Sequence, residues 1–270
     1  MKIAITNLLT SDNGSIAGLA DGNANYDPNV ILDPSFSTIY NAGGSSATFG
    51  FRYTFTEPTL IDYVAIAGHN AGVKGATVEL KVDGVTKGTE TYEPDPFNDF
   101  STVLMATFPE QLATTVDVLF TKSGPITDRI LLCNMQAGAT FPLSDPINNS
   151  EQGGYVRPWI GDGVNNKSVL NRRSEPTVSL VRQNTKRITL TISNIQGIAE
   201  NPDFDNLVRF LELITDQSTW FMQERDGTVL DQDGQSNYLC FNGDMTMTAG
   251  ANRRLNTMKL TFNAYIGARA

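Results

Sequence analysis

The chain has 270 residues, of which 40% are hydrophobic and only 18% charged, with a net charge of −9 at pH 7. That length suits one large domain or two ordinary ones, and a hydrophobic share of this size fills real cores. The acidity is uneven: residues 1–140 carry 7 Lys and Arg against 15 Asp and Glu, a balance of −8, while residues 141–270 carry 13 against 14, a balance of −1, so a phosphate backbone or an anionic membrane surface is a poor partner for the first half.

The opening, MKIAITNLLTSDNG, has no basic segment followed by a long apolar core and a cleavage site, so no signal peptide is expected. Lys2–Ile5 reads as a short strand. Thr48–Phe55 and Ile61–Ala67 (IDYVAIA) follow, the second an unbroken apolar run of strand length. Ala76–Val82 (ATVELKV) alternates with period two, Asp83-Gly84 signals a tight turn, and Thr86–Tyr92 makes the return strand. Thr102–Phe108, Val116–Phe120 and Arg129–Asn134 complete about eight short strands punctuated by Gly, Asn, Asp and Pro, the pattern of a β-sandwich or jelly roll. Residues 143–154 are rich in Pro, Ser, Asn and Gly and read as a linker or a reaching loop.

The second half keeps the strands and adds one helix. Thr177–Leu180 and Arg187–Ile192 are strands. Asn201-Pro202-Asp203 then opens a helix in which Phe204, Leu207, Val208, Leu211 and Ile214 share one face, with Asp203 or Asp205 as its cap. Ser218–Glu224 returns to strand, and Tyr238–Thr248 and Leu255–Tyr265 form a long hairpin. No stretch approaches the ~18 apolar residues of a membrane-spanning segment.

Two family resemblances rest on these segments. Residues 60–82, LIDYVAIAGHNAGVKGATVELKV, are similar to the core of discoidin-like, galactose-binding-like modules, with a strand ending in G-H-N, a Gly-rich turn, and then G-A-T-V-x-L. The pattern extends over 1–142 and also looks like that of tail-associated phage proteins. Residues 155–270 resemble the distal-tail and tail-tube family of long-tailed bacteriophages, through Arg187–Ile192, the Phe204–Ile214 segment, Trp220-Phe221, the turn after Asp226, and the final strand pair ending in LTFNAYIG. The order of ring-forming and accessory parts is reversed relative to that family. Together the resemblances imply a mainly β protein: an N-terminal β-sandwich jelly roll at 1–142, then at 155–270 a tail-tube-like β-sandwich with one α-helix. They imply a structural protein of the virion tail, a distal or minor tail protein, that pairs with its own copies in a ring, expected to be a hexamer. Its other partners would be tail tube, hub or tip proteins and a host surface glycan. The alternative is a carbohydrate-binding module protein that recognises a surface glycan.

Few residues offer chemistry. His69 is the single histidine, without metal-ligand spacing to Cys133 or Cys240 and without a G-x-S-x-G elbow, so it is expected to be structural. No catalytic residue and no cofactor is expected. The two cysteines, outside any C-x-x-C, read as buried thiols. Asp21, Asn23, Asn25 and Asp27 set oxygen side chains at alternate positions, as a calcium loop does, but without the Gly and distant Glu of an EF-hand, so a polar surface turn is the leading reading and calcium the alternative. Asp226, Asp231 and Asp233 form a second acidic cluster that Asp-Gly turns explain. Tyr92, Phe97 and Phe100, in YEPDPFNDF, offer rings to a sugar or partner, or anchor the loop on the sheet. Arg157, Arg172 and Arg173, with Lys167, Arg182, Lys186 and Arg187, make 155–187 basic; the complementary acidic half points to a ring interface, a solvated face being the simpler reading.

Overall fold

The computed structural model describes residues 2–4, 6–19, 27–32, 40–42, 47–92, 103–122, 130–141, 164–170, 176–196, 219–223, 237–249 and 255–265. In chain order these are β1 (Lys2–Ala4), β2 (Gly14–Leu19), a 3₁₀ turn (Pro28–Leu32), β3 (Tyr40–Ala42), β4 (Thr48–His69), the single-turn α1 (Ala71–Lys74), β5 (Thr77–Val82), β6 (Val85–Thr91), β7 (Val103–Thr121), β8 (Ile130–Gly138) and β9 (Thr140–Phe141). The second half contributes β10 (Val164–Leu170), β11 (Pro176–Gln196), β12 (Thr219–Gln223), β13 (Asn237–Ala249) and β14 (Leu255–Tyr265). The protein is mainly β, as expected, and every pairing among the described residues is antiparallel. The expected helix at Phe204–Ile214 and the expected linker at 143–154 lie outside the described residues.

Two pairs of expected strands are single long strands. Thr48–Phe55 and Ile61–Ala67 are both parts of β4, and Thr102–Phe108 and Val116–Phe120 both belong to β7. The two strands pair from Thr48↔Thr121 to Ala67↔Val103, with register shifts between Thr54 and Thr59 and between Ile61 and Tyr63. Pro58 and Pro109 sit in these irregular stretches, where a residue without an N–H breaks no regular ladder. The shifts bend the pair, so its first part belongs to one layer of a sandwich and its second part to the other. One layer joins β2, the start of β4, the end of β7, β5 and β6. The other joins β3, β8, the end of β4 and the start of β7. Between them lies a core that includes Phe49, Phe51, Tyr53 and Phe55 from β4, Val78, Leu80 and Val82 from β5, and Val116, Val118 and Phe120 from β7. Outside the first layer, Arg52 faces Asp117 across the ladder and donates to both carboxylate oxygens at 2.7 Å.

The turn at Asp83-Gly84 forms as the sequence predicts. Val82 pairs with Val85, and both turn residues take positive φ, 49° and 79°, the conformation that favours Asp-Gly in two-residue hairpins. The Asp83 carboxylate then reaches across to β7, accepting from the backbone N–H groups of Thr114 (3.0 Å) and Thr115 (2.8 Å) and from both hydroxyls.

The unbroken run IDYVAIA has a plain structural cause. Val64 and Ile66 face the sandwich core, while Tyr63, Ala65 and Ala67 face outward and are just as buried. Strands covered on both faces lose the polar alternation of half-exposed ones. The second half supplies the outer cover: Phe221 of β12 packs with Tyr63, Ala65, Ala67, Val103, Met105 and Ala4.

β1 also joins the halves. Sequence reading groups Lys2–Ile5 with the strands of the first half, but β1 pairs with β12 on one side and β9 on the other. It thereby enters a seven-stranded sheet of order β10-β11-β14-β13-β12-β1-β9. Polar pins fix the contact between this sheet and the sandwich. Gln223 Nε2 donates to the Met105 carbonyl at 3.0 Å and its Oε1 accepts from Thr107 at 3.0 Å. The Thr140 N–H donates to Asp62 at 2.6 Å. The chain after β1 threads close to the sandwich: Tyr63 donates to the Thr6 carbonyl at 2.9 Å, and a Cβ on Gly138 would lie 2.0 Å from the same oxygen.

Candidate functional site

Strand register gathers one end of the sandwich. β4 starts at Thr48 opposite Thr121 and ends near His69 opposite Leu132. Because β4 and β7 fold over, their far ends converge: the His69 ring lies 6.0 Å from Phe120, which stacks 6.0 Å from Phe49. β2 leaves this end after Leu19, which pairs with Gly50, and β6 leaves it at Thr91, which pairs with Thr77. β7 enters there at Val103 and β8 at Ile130. The strand ends that lead into segments 20–26 and 93–102, the two segments that carry the candidate calcium and sugar-contacting residues, therefore share one pole.

His69 sits at the centre of this pole as a packed residue. It is fully buried, and its ring meets Tyr92 edge-on at 5.5 Å. Nδ1 accepts from the Ala71 N–H at 3.4 Å, which leaves the ring proton on Nε2. Burial lowers its pKa to about 3, because a charged imidazole loses its hydration there. A base held neutral and sealed from solvent organises the turn at 70–76 and has no path to a substrate. That turn ends on Gly75 at φ 58°, which receives the left-handed cap of α1.

Tyr92 departs from the sugar-contact expectation. It is only 7% exposed, its N–H donates to the Ala76 carbonyl, and its hydroxyl donates to Glu90 at 2.8 Å. A ring turned edge-on to His69 in the core offers no face to a sugar. Burial raises the Glu90 pKa, and the Tyr92 hydroxyl opposes that rise. Asp27, from the candidate calcium set, is exposed and caps the 3₁₀ turn: Oδ1 accepts from the Asn29 N–H at 2.9 Å and from Asn29 Nδ2 at 2.7 Å. Asp at the cap followed by Pro28 is an ordinary way to begin such a turn. Asp21, Asn23, Asn25, Phe97, Phe100, Arg157, Arg172, Arg173, Asp226, Asp231 and Asp233 lie outside the described residues. Cys240 is a buried free thiol, its pKa pushed up by burial; the Cys133 side chain is outside the described set. Among the described residues, no three His, Cys, Asp or Glu side chains come together as a metal site, and no helix is long and apolar enough to cross a membrane.

Sequence reading missed the polar residues at the junction of the halves, Thr107, Gln136, Thr219 and Gln223. Their side chains are satisfied or stranded by a contact between segments more than eighty residues apart, which no local pattern encodes.

No family model matches the chain, and no curated protein matches it. Solved structures match about half of it. A chitosan-binding module from a chitosanase/glucanase of Paenibacillus sp. IK-5, in complex with chitotriose, is 15% identical and covers 49% of this chain and 99% of its own, with a TM-score of 0.38. The module CpGH89CBM32-5 from Clostridium perfringens, in complex with GalNAc-β-1,3-galactose, is 10% identical over 50% of this chain and 100% of its own, with a TM-score of 0.37. A Ruminococcus gnavus GH29 fucosidase in complex with fucose is 10% identical over 50% of this chain and has a TM-score of 0.38; this chain spans 27% of its length.

Proposed function

We propose that the protein is a non-catalytic recognition protein whose first-half sandwich binds a surface glycan at its loop pole, held rigidly on the sheet of the second half. The observation that supports this is the convergence of strand ends at that pole. Leu19 opposite Gly50, Thr91 opposite Thr77 and Val103 opposite Ala67 bring the exits toward Asp21–Asp27 and Phe97–Phe100 to one surface. Sugar recognition needs aromatic faces for the apolar side of the ring and polar groups for its hydroxyls; with Tyr92 in the core, Phe97 and Phe100 are the rings that remain. Calcium at Asp21, Asn23, Asn25 and Asp27 would order the neighbouring polar segment. The test is an array of surface glycans probed with the full chain. Dose-dependent binding to a discrete set of glycans is expected, and absence of binding to all of them sinks the reading.

A second reading keeps the protein in a phage tail as a ring-forming distal or minor tail subunit. One observation favours it: the long strands β11, β14 and β13 form a continuous antiparallel sheet in the second half. Electron microscopy of the purified protein decides it, since closed rings of about six copies are expected of such a subunit.

A further inference from the structure

Asparagine is a chemically labile residue, and it is most labile before glycine, whose backbone nitrogen has no side chain beside it to block attack on the preceding amide. The chain has two such pairs, Asn13-Gly14 and Asn242-Gly243. The second lies inside β13. The first stands where the turn at 11–13 enters β2.

Both reacting groups of the first pair are accessible. Asn13 is exposed, and among the described residues its side chain makes one bond, Nδ2 donating to the Leu8 carbonyl at 3.0 Å. The Thr56 N–H donates to the Asn13 carbonyl at 2.8 Å, so Asn13 and Thr56 form a hydrogen-bonded rung between β2 and β4. Such rungs alternate in an antiparallel pair, and Gly14, opposite Phe55, therefore turns its N–H away from β4. Among the described strands β2 pairs only with β4, so the Gly14 nitrogen points to an unpaired edge. Packing also fixes the glycine. A Cβ at position 14 would lie 2.2 Å from the Thr54 carbonyl oxygen and 2.8 Å from the Tyr53 ring, so a slower-reacting residue does not fit there.

We propose that Asn13-Gly14 is a self-modification site, at which the folded protein converts asparagine to aspartate and isoaspartate. The Gly14 nitrogen gives its proton to solvent and attacks Asn13 Cγ. The new N–Cγ bond forms, the Cγ–Nδ2 bond breaks, and Nδ2 leaves as ammonia, taking a proton back from solvent. One water then opens the cyclic imide. Opening at Cγ gives aspartate. Opening at the main-chain carbonyl carbon gives isoaspartate, in which that carbonyl becomes a free carboxylate. Nothing is oxidised or reduced. Either product removes the Nδ2 donor to Leu8 and adds one negative charge, and isoaspartate also displaces the acceptor of the Thr56 N–H. The change falls on the strap that leads from β1 into the sandwich, where the Thr6 and Thr10 carbonyls accept from Tyr63 and Tyr53 at 2.9 and 2.6 Å.

The test is incubation of the folded full chain at mildly alkaline pH, followed by digestion and mass spectrometry with electron-transfer fragmentation, which separates isoaspartate from aspartate. The same chain in urea gives the rate without the fold. Both products are expected at position 13 of the folded chain, with an acidic shift of one charge in isoelectric focusing. Asn13→Gln keeps an amide but would have to close a larger ring, and it should lose the part of that shift due to position 13. Amide exchange at Thr56 should be faster in the aged wild type than in the fresh protein, and equal in aged and fresh Asn13→Gln. Absence of both products from position 13 of the folded chain, whether or not they form in urea, would overturn the proposal. So would conversion that leaves Thr56 exchanging at its fresh rate.

Discussion

Replacing Phe221 by Ala tests whether the two halves unfold as one body. Phe221 is fully buried, against Tyr63, Ala65, Ala67, Val103, Met105 and Ala4, all of which belong to the first half. Its ring withdraws about 150–200 Å² of apolar surface from water, which at about 25 cal/mol per Å² is worth about 4–5 kcal/mol. The measured range for Phe→Ala in cores, about 3–5 kcal/mol, agrees. The assay is equilibrium unfolding in guanidinium, followed by tryptophan fluorescence and by far-UV circular dichroism. Trp220, next in sequence and itself buried, reports the second half, whereas the dichroism follows every strand. The expected result is coincident transitions for both probes in wild type and in Phe221→Ala, the variant shifted by about 3–5 kcal/mol. Two separate transitions, of which the variant moves only one, would show that the halves unfold independently, because a shared sheet and a shared core cluster cannot melt in halves.

Three further outcomes follow from the same structure. The His69 pKa in the folded chain lies below its unfolded value of 6.5, at about 3, so between those pH values the unfolded chain binds a proton that the folded chain does not. Its contribution to stability is complete above pH 6.5 and is lost as pH falls toward 3, with a slope of up to about 1.4 kcal/mol per pH unit; in urea titrations His69→Gln should lack that part of the slope. Asp83→Ala removes the acceptor of Thr114 and Thr115 and puts Ala at φ 49°, and should cost about 1–3 kcal/mol by thermal unfolding, whereas Asp83→Asn keeps an acceptor and tolerates that backbone and should cost less. Gly138→Ala drives a Cβ to 2.0 Å from the Thr6 carbonyl oxygen, so it should lower the melting temperature and speed amide exchange at Leu8, whose N–H donates to Ala137.

What the sequence made legible was local. Asp83-Gly84 carries its turn type in its two residues, and the alternation of ATVELKV gives β5 and its buried Val78, Leu80 and Val82. The Leu255–Tyr265 strand is bounded as expected. The hidden features depend on remote partners. Nothing near Lys2 shows that it will pair with Gln223. The apolar run IDYVAIA announces burial on both faces, but not that Phe221 provides the second cover. The short strand GSIAGL alternates too weakly to stand out between glycines, and it is fixed by pairing with Gly50–Phe55. At the pole, Tyr92 had the composition of a contact residue and the burial of a core residue. The difference lies in the His69 ring and the Glu90 carboxylate beside it, one of them twenty-three positions away.

Glycan recognition at the pole is tested most directly by calorimetric titration of the strongest array glycan into three proteins: wild type, Phe97→Ala with Phe100→Ala, and Leu112→Asp, an exposed position opposite Leu60 at the irregular stretch of β4 and β7. The Phe pair is expected to lose at least about tenfold in affinity while the Leu112 variant binds as wild type does. Equal affinity in all three, or loss only in the Leu112 variant, would rule out recognition at the pole.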